Sequence, residues 1–133
     1  MTTWLIVEDE LDLIELFQAA TDLIGIQSLT FSSGEDAVHW IEEVENGRFE
    51  GEKPVLALLD IRLAGEATGA TVGARLRESP DLNSMMLVLM TAHRLSPAWE
   101  KVILEQSGAD LLLYKPLPAF KDLYRLLQSL IRP

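Results

Sequence analysis

The 133 residues are 48% hydrophobic and 24% charged, the proportions of one soluble globular domain with room for a real core. A net charge of −10 argues against nucleic-acid binding through a basic face, and the absence of cysteine excludes a disulfide framework and thiolate chemistry. No apolar run approaches the ~20 residues of a membrane span, and Met1-Thr2-Thr3-Trp4 lacks a signal-peptide pattern, so the expected location is cytoplasmic.

Trp4-Leu5-Ile6-Val7 is an apolar run of strand length that leads into Glu8-Asp9. Leu13, Phe17, Ala20 and Ile24, with Ile14 beside them, then recur at helical spacing until Gly25. Ile26 to Phe31 reads as a second strand. Ser33-Gly34-Glu35-Asp36 has capping-box spacing, with Ser33 as N-cap and Asp36 reaching back, and opens a helix to about Asn46-Gly47. Gly47 to Pro54 is polar and reads as a surface loop.

Val55 to Leu59 is a third strand running into Asp60, and a loop with Gly65 and Gly69 leads to a helix ending near Ser79-Pro80. Met85 to Met90 forms a fourth strand that runs into Thr91. Ser96-Pro97, an N-cap followed by proline, opens a fourth helix that Gly108 closes. Leu111 to Tyr114 is a fifth strand leading into Lys115-Pro116. The last helix places Phe120, Leu123, Leu127 and Leu130 on one face. Alternation of this kind predicts a parallel α/β sheet, and nothing remains for a second domain. Met1 just before the first strand favours a natural start.

Charge is unevenly spread. Residues 1–52 carry thirteen Asp/Glu and a single Lys/Arg, Arg48, whereas residues 53–133 carry eight acids and ten bases. This reads as a solvated acidic face on the first helices, or as two faces that meet different partners.

Four of the apolar runs end in residues suited to phosphoryl chemistry. In an open parallel sheet the carboxyl ends of the strands share the edge where ligands bind. Glu8, Asp9, Asp60, Thr91 and Lys115 are therefore expected to converge there. Two unit charges ~4 Å apart repel by about 4 kcal/mol at an effective dielectric near 20, so three carboxylates call for a cation. Magnesium takes oxygen ligands and bridges to phosphate oxygens. Asp60 is then the candidate nucleophile, Lys115 a point charge for phosphoryl oxygens, and Thr91 a hydroxyl donor to one of them.

Val7-Glu8-Asp9-Glu10, Leu59-Asp60-Ile61-Arg62-Leu63, Met90-Thr91-Ala92 and Tyr114-Lys115-Pro116 resemble the motifs of the response-regulator receiver domain, over essentially the whole chain. The resemblance implies a flavodoxin-like three-layer sandwich: a five-stranded parallel sheet in the order 2-1-3-4-5 with five flanking helices. It implies a single receiver domain over residues 1–133 with no effector domain. It also implies phosphotransfer to Asp60 from a histidine kinase or phosphotransfer protein, and no enzyme activity beyond that transfer and autodephosphorylation. By the same resemblance Asp9 ligates magnesium directly, Glu8 acts largely through water, and the backbone carbonyl of Arg62 is a third protein ligand. The side chains of Arg62 and His93 flank the water that dephosphorylates Asp60. Output then passes to a protein partner through the fourth helix, fifth strand and fifth helix, with Trp99 and Tyr114 contributing.

Two departures stand out. Ala64 and Thr68 replace the usual proline and glycine of the loop after the aspartate. The glycine comes one residue later, at Gly69, so the loop is longer and loses proline's fixed φ. Leu112 replaces the usual aromatic switch residue, while Tyr114 beside the lysine shares the face of Leu112 and is opposite Leu113. Tyr114 is either core or a responding ring.

Competing readings are a degenerate receiver acting as an unphosphorylated scaffold, a flavodoxin-like electron carrier and a magnesium-dependent phosphatase. Glu8-Asp9-Glu10 would repel a flavin phosphate, and no leaving-group acid stands out for the phosphatase. His39 and His93 without a third nitrogen or sulfur ligand do not make a zinc site.

Overall fold

A computed structural model describes residues 2–131. Met1, on which the expectation of a natural start rests, lies outside them. Ten elements alternate strictly: β1 (Thr3–Val7), α1 (Leu11–Leu23), β2 (Gln27–Phe31), α2 (Gly34–Glu45), β3 (Leu56–Asp60), α3 (Gly69–Glu78), β4 (Met86–Thr91), α4 (Pro97–Ser107), β5 (Leu111–Tyr114) and α5 (Phe120–Ile131). All pairings are parallel and the order is β2-β1-β3-β4-β5, as the alternation and the resemblance predict.

Strand alternation divides the core in two. Leu5, Val7, Ala57, Leu59, Leu87 and Leu89 pack with α2 and α3 on one face of the sheet. Trp4, Ile6, Leu58, Val88 and Met90 pack with Phe17 of α1 and with Leu123 and Leu127 of α5 on the other. β1 and β3 are buried along their whole length, which is why their sequences are continuous apolar runs.

The caps follow their sequence signals. Ser33 Oγ accepts from Asp36 N at 3.1 Å, Ser96 Oγ accepts from Trp99 N at 3.2 Å, and Gly108 closes α4 at φ +69°. Only the Ser33 half of the capping box forms among the described residues, because Asp36 makes no return bond.

Three expectations need correction. The inner stripe of α1 is Ile14, Phe17 and Thr21, and Ile24 lies beyond the helix at 40% exposed. A threonine can hold a core position here because its hydroxyl donates to Phe17 O at 2.8 Å, leaving only the methyl to pack. On α5, Leu130 is 38% exposed, since the residue one turn beyond Leu127 is Ile131, which packs into the core instead. The loop between α2 and β3 is not wholly solvated. Phe49 meets Trp40 edge-on at 5.5 Å, and Pro54 is buried.

At the amino-terminal edge of the sheet Arg77 ties α3 to β4 and β5. Its guanidinium donates to the carbonyls of Asn83, Met85 and Gly108 and pairs with Asp110 at 2.9 Å. The chemistry-bearing residues lie at the opposite edge.

Candidate phosphoryl and metal site

Sheet register brings distant residues to one edge. Val7 pairs with Leu59, Asp60 with Met90, and Thr91 with Tyr114, so the residues at the ends of β1, β3, β4 and β5 become neighbours. Backbone bonds continue the ladder past the strands, from Ile61 N to Met90 O and from Lys115 N to Thr91 O, each 2.8 Å. Glu8 is fully buried, and Asp60 and Thr91 nearly so, while Asp9 is more open to solvent than they are. One carboxylate oxygen from each of Glu8, Asp9 and Asp60 lies within 4.8 Å of the others.

Lys115 reaches into this cluster. Its Nζ is 2.7 Å from Glu8 Oε1, 3.2 Å from Asp60 Oδ2 and 3.5 Å from Glu10 Oε1. Burial pushes the Glu8 carboxyl up to about 7, helped by the neighbouring Asp60 and opposed by Lys115. Burial also works against the charge of Lys115. Its hydrogen bond to Glu8 and the charge of Asp60 outweigh that, and its pKa is raised. The edge is therefore a pocket of excess negative charge with one ammonium to balance it.

The remaining predicted residues are brought near in different ways. Asp60 Oδ1 accepts from Arg62 N at 3.2 Å, and the Arg62 side chain is exposed. Thr91 Oγ1 accepts from His93 N at 3.1 Å, and the His93 ring is exposed. Leu112 packs on the α2–α3 face, and Leu113 on the opposite one. Trp99, at 61% exposed, stands out from the first turn of α4. His39 is a surface residue 3.6 Å from Glu43, as its acidic surroundings suggest.

Tyr114 is neither plain core nor free. Its hydroxyl accepts from Leu95 N at 3.2 Å and donates to Glu100 Oε1 at 3.0 Å, while Arg94 lies 4.7 Å above its ring. The tyrosine thus pins the β4–α4 loop and the first turn of α4 to the end of β5. Tyr114→Phe is expected to cost about 1 kcal/mol and to speed amide exchange at Leu95 while leaving the sheet amides unchanged. Unchanged exchange at Leu95 would show that the hydroxyl holds nothing.

Sequence reading also missed Glu10 as a third partner of Lys115. It missed the contacts of the β3–α3 loop as well: Asp9 Oδ2 accepts from Ala64 N at 3.1 Å, and Glu35 Oε2 accepts from Glu66 N and Ala67 N at 2.9 Å each. The available signal was position. Glu35 opens α2 immediately after β2, so it stands on the same edge as the loop.

The family model for the response regulator receiver domain matches residues 4–128. The chain belongs to that family. Solved receiver domains agree with its fold. The signal receiver domain of a LuxO repressor protein from Vibrio parahaemolyticus is 26% identical, covering 98% of this chain and 88% of that one at a TM-score of 0.72. The BeF3-activated receiver domain of RstA from Klebsiella pneumoniae is 25% identical, covering 99% and 100% at 0.76. A sensor histidine kinase receiver domain from Pseudomonas aeruginosa, with magnesium in its active-site cleft, is 22% identical, covering 98% and 97% at 0.77. A search of curated proteins finds no match. As a receiver domain the protein is a two-component signalling module rather than a conventional enzyme.

Proposed function

We propose that this receiver accepts a phosphoryl group on Asp60 from a histidine kinase or phosphotransfer protein, and that the phosphorylated form is read by a protein partner. The observation that carries the reading is the convergence of Glu8, Asp9 and Asp60 within 4.8 Å, beside the ammonium of Lys115. An all-oxygen, carboxylate donor set suits a hard divalent cation better than zinc, whose sites are built mainly from nitrogen and sulfur. Glu8, Asp9, Asp60 and the Arg62 carbonyl would hold magnesium. Bound there, the ion neutralises the carboxylates and polarises a phosphoryl oxygen.

In the transfer a carboxylate oxygen of Asp60 bonds to phosphorus while the bond from phosphorus to the donor imidazole nitrogen breaks, and the imidazole leaves. Lys115 and Thr91 meet the charge on the phosphoryl oxygens. Hydrolysis later returns inorganic phosphate, with Arg62 and His93 beside the route of the attacking water. An apolar groove of about 370 Å³ beside Lys115, walled by Leu13 and Leu16 of α1 and by Leu117 and Phe120, gives the phosphodonor a place to rest. Output uses the α4–β5–α5 face, where Trp99 is exposed and Tyr114 holds the loop that leads to it. Among the described residues no helix is long and apolar enough to cross a membrane.

Thermal melts with and without millimolar magnesium test the metal site. Wild type is expected to melt higher with magnesium, because a ligand bound only to the native state stabilises it. Asp9→Ala should lose that shift. Incubation with acetyl phosphate and magnesium should add one phosphoryl group by intact mass. If neither response is found, the chain is an unphosphorylated scaffold.

A further inference from the structure

The loop from Ile61 to Thr68 carries the Arg62 carbonyl, and with Ala64 in place of proline no ring fixes its backbone. Two carboxylates from other elements hold it instead. Asp9 takes the Ala64 N–H at 3.1 Å, and Glu35, in the first turn of α2, takes the successive N–H groups of Glu66 and Ala67 at 2.9 Å each. The fit around Glu35 is tight. Gly65 has φ +92°, and a Cβ there would lie 2.8 and 2.9 Å from the Glu35 carboxylate oxygens. A Cβ at Gly34 would collide with the Ala67 carbonyl, and one at Gly69 with the Asp60 carbonyl. The loop is therefore wedged between the start of α2 and the end of β3. The bond from Ala67 N–H, together with those from the N–H groups of Glu35 itself and Glu66, holds the Glu35 carboxyl below its usual range.

We propose that Glu35 is a positioning residue for the metal and acceptor site: by holding Glu66 and Ala67 it sets the course of the loop that presents the Arg62 carbonyl and ties Ala64 to Asp9. Glu35 touches neither metal nor phosphoryl group. The inference rests on the reading that Glu8, Asp9, Asp60 and Arg62 hold magnesium. It assigns a role to a residue outside the motifs, and it accounts for how this chain holds its longer loop.

Magnesium titration of the full chain, followed through the amide shifts of Gly65 and Gly69, tests it. Glu35→Ala is expected to weaken magnesium affinity about 10-fold, the lower end of what losing a supporting shell costs a metal site. Phosphorylation by acetyl phosphate should slow in parallel. Glu35→Gln keeps an oxygen that accepts from Glu66 N and Ala67 N and should recover much of the affinity. Ser33→Ala removes the N-cap of the same helix without touching the loop, so it should lower stability and leave magnesium affinity as in wild type. Wild-type affinity in Glu35→Ala overturns the proposal, as does an equal loss in Ser33→Ala, which would make the effect one of stability. A wild type that ignores magnesium defeats the metal reading and this inference with it. A responsive wild type with unweakened affinity in Glu35→Ala defeats this inference alone.

Discussion

Asp60→Asn should reduce phosphoryl incorporation from acetyl phosphate to background. The amide has nearly the shape of the carboxylate but neither its charge nor its nucleophilicity. The fold should survive the change, because Lys115 keeps its closest partner, Glu8, at 2.7 Å, and the Asp60 position loses a charge that repels Glu8. Arg62 N can still donate to the side-chain oxygen at position 60. Loss of labelling would therefore report chemistry and not unfolding, and an unchanged or higher melting temperature in the metal-free protein would confirm it. Glu8 and Asp9 are the nearest alternative acceptors. Label that persists in Asp60→Asn would move the acceptor to one of them. Glu8 is fully buried and already bonded to Lys115, so Asp9, the more accessible of the two, would be the first to examine.

Sequence alone could yield this much of the site because its parts are coupled to strand ends. A strand buried on both faces is a continuous apolar run, and the first polar residue after it must emerge at the sheet edge. Glu8, Asp60, Thr91 and Lys115 were all legible in that way. Residues whose role depends on reach between elements were not. Glu35 meets Glu66 and Ala67 across 31 and 32 residues of chain, and the Tyr114 hydroxyl meets Leu95 and Glu100 across 19 and 14. No periodicity encodes such contacts, since they follow from the path of loops. Thr21 shows a second limit. A polar residue was passed over as a core position because hydropathy does not record that its hydroxyl can bond to its own helix. Ile24 and Leu130 show the third: apolar spacing runs past the end of α1 at Ile24, and on α5 it does not say which of Leu130 and Ile131 turns inward.

The largest stability effect should come from Lys115. Lys115→Met removes the one ammonium, among the described residues, within bonding distance of both Glu8 and Asp60. Breaking a buried pair by deleting one partner costs about 3–5 kcal/mol, because the other charge stays buried without compensation. The direction of the pH dependence follows from Glu8. Its carboxyl titrates near 7 in the fold against 4.5 ordinarily, so between those values the folded state holds a proton that the unfolded state has released. Metal-free wild type should therefore lose stability as pH rises from about 4.5 to about 7, and change little from this group above that. Glu8→Gln should lack that slope, and the difference between the two denaturation curves isolates it from the other carboxylates. In Lys115→Met the decline should extend to higher pH at the same slope, since Lys115 is what holds the Glu8 carboxyl down. Magnesium should restore much of the loss at pH 8, because the ion supplies the positive charge that the variant lacks and no ammonium competes for Glu8 and Asp60. Phosphorylation should remain poor even then, as the phosphoryl oxygens would have lost their cation. A Lys115→Met protein as stable as wild type at pH 8 without magnesium would mean that the carboxylates are neutralised by protons rather than by the lysine, and the charge balance described for this site would be wrong.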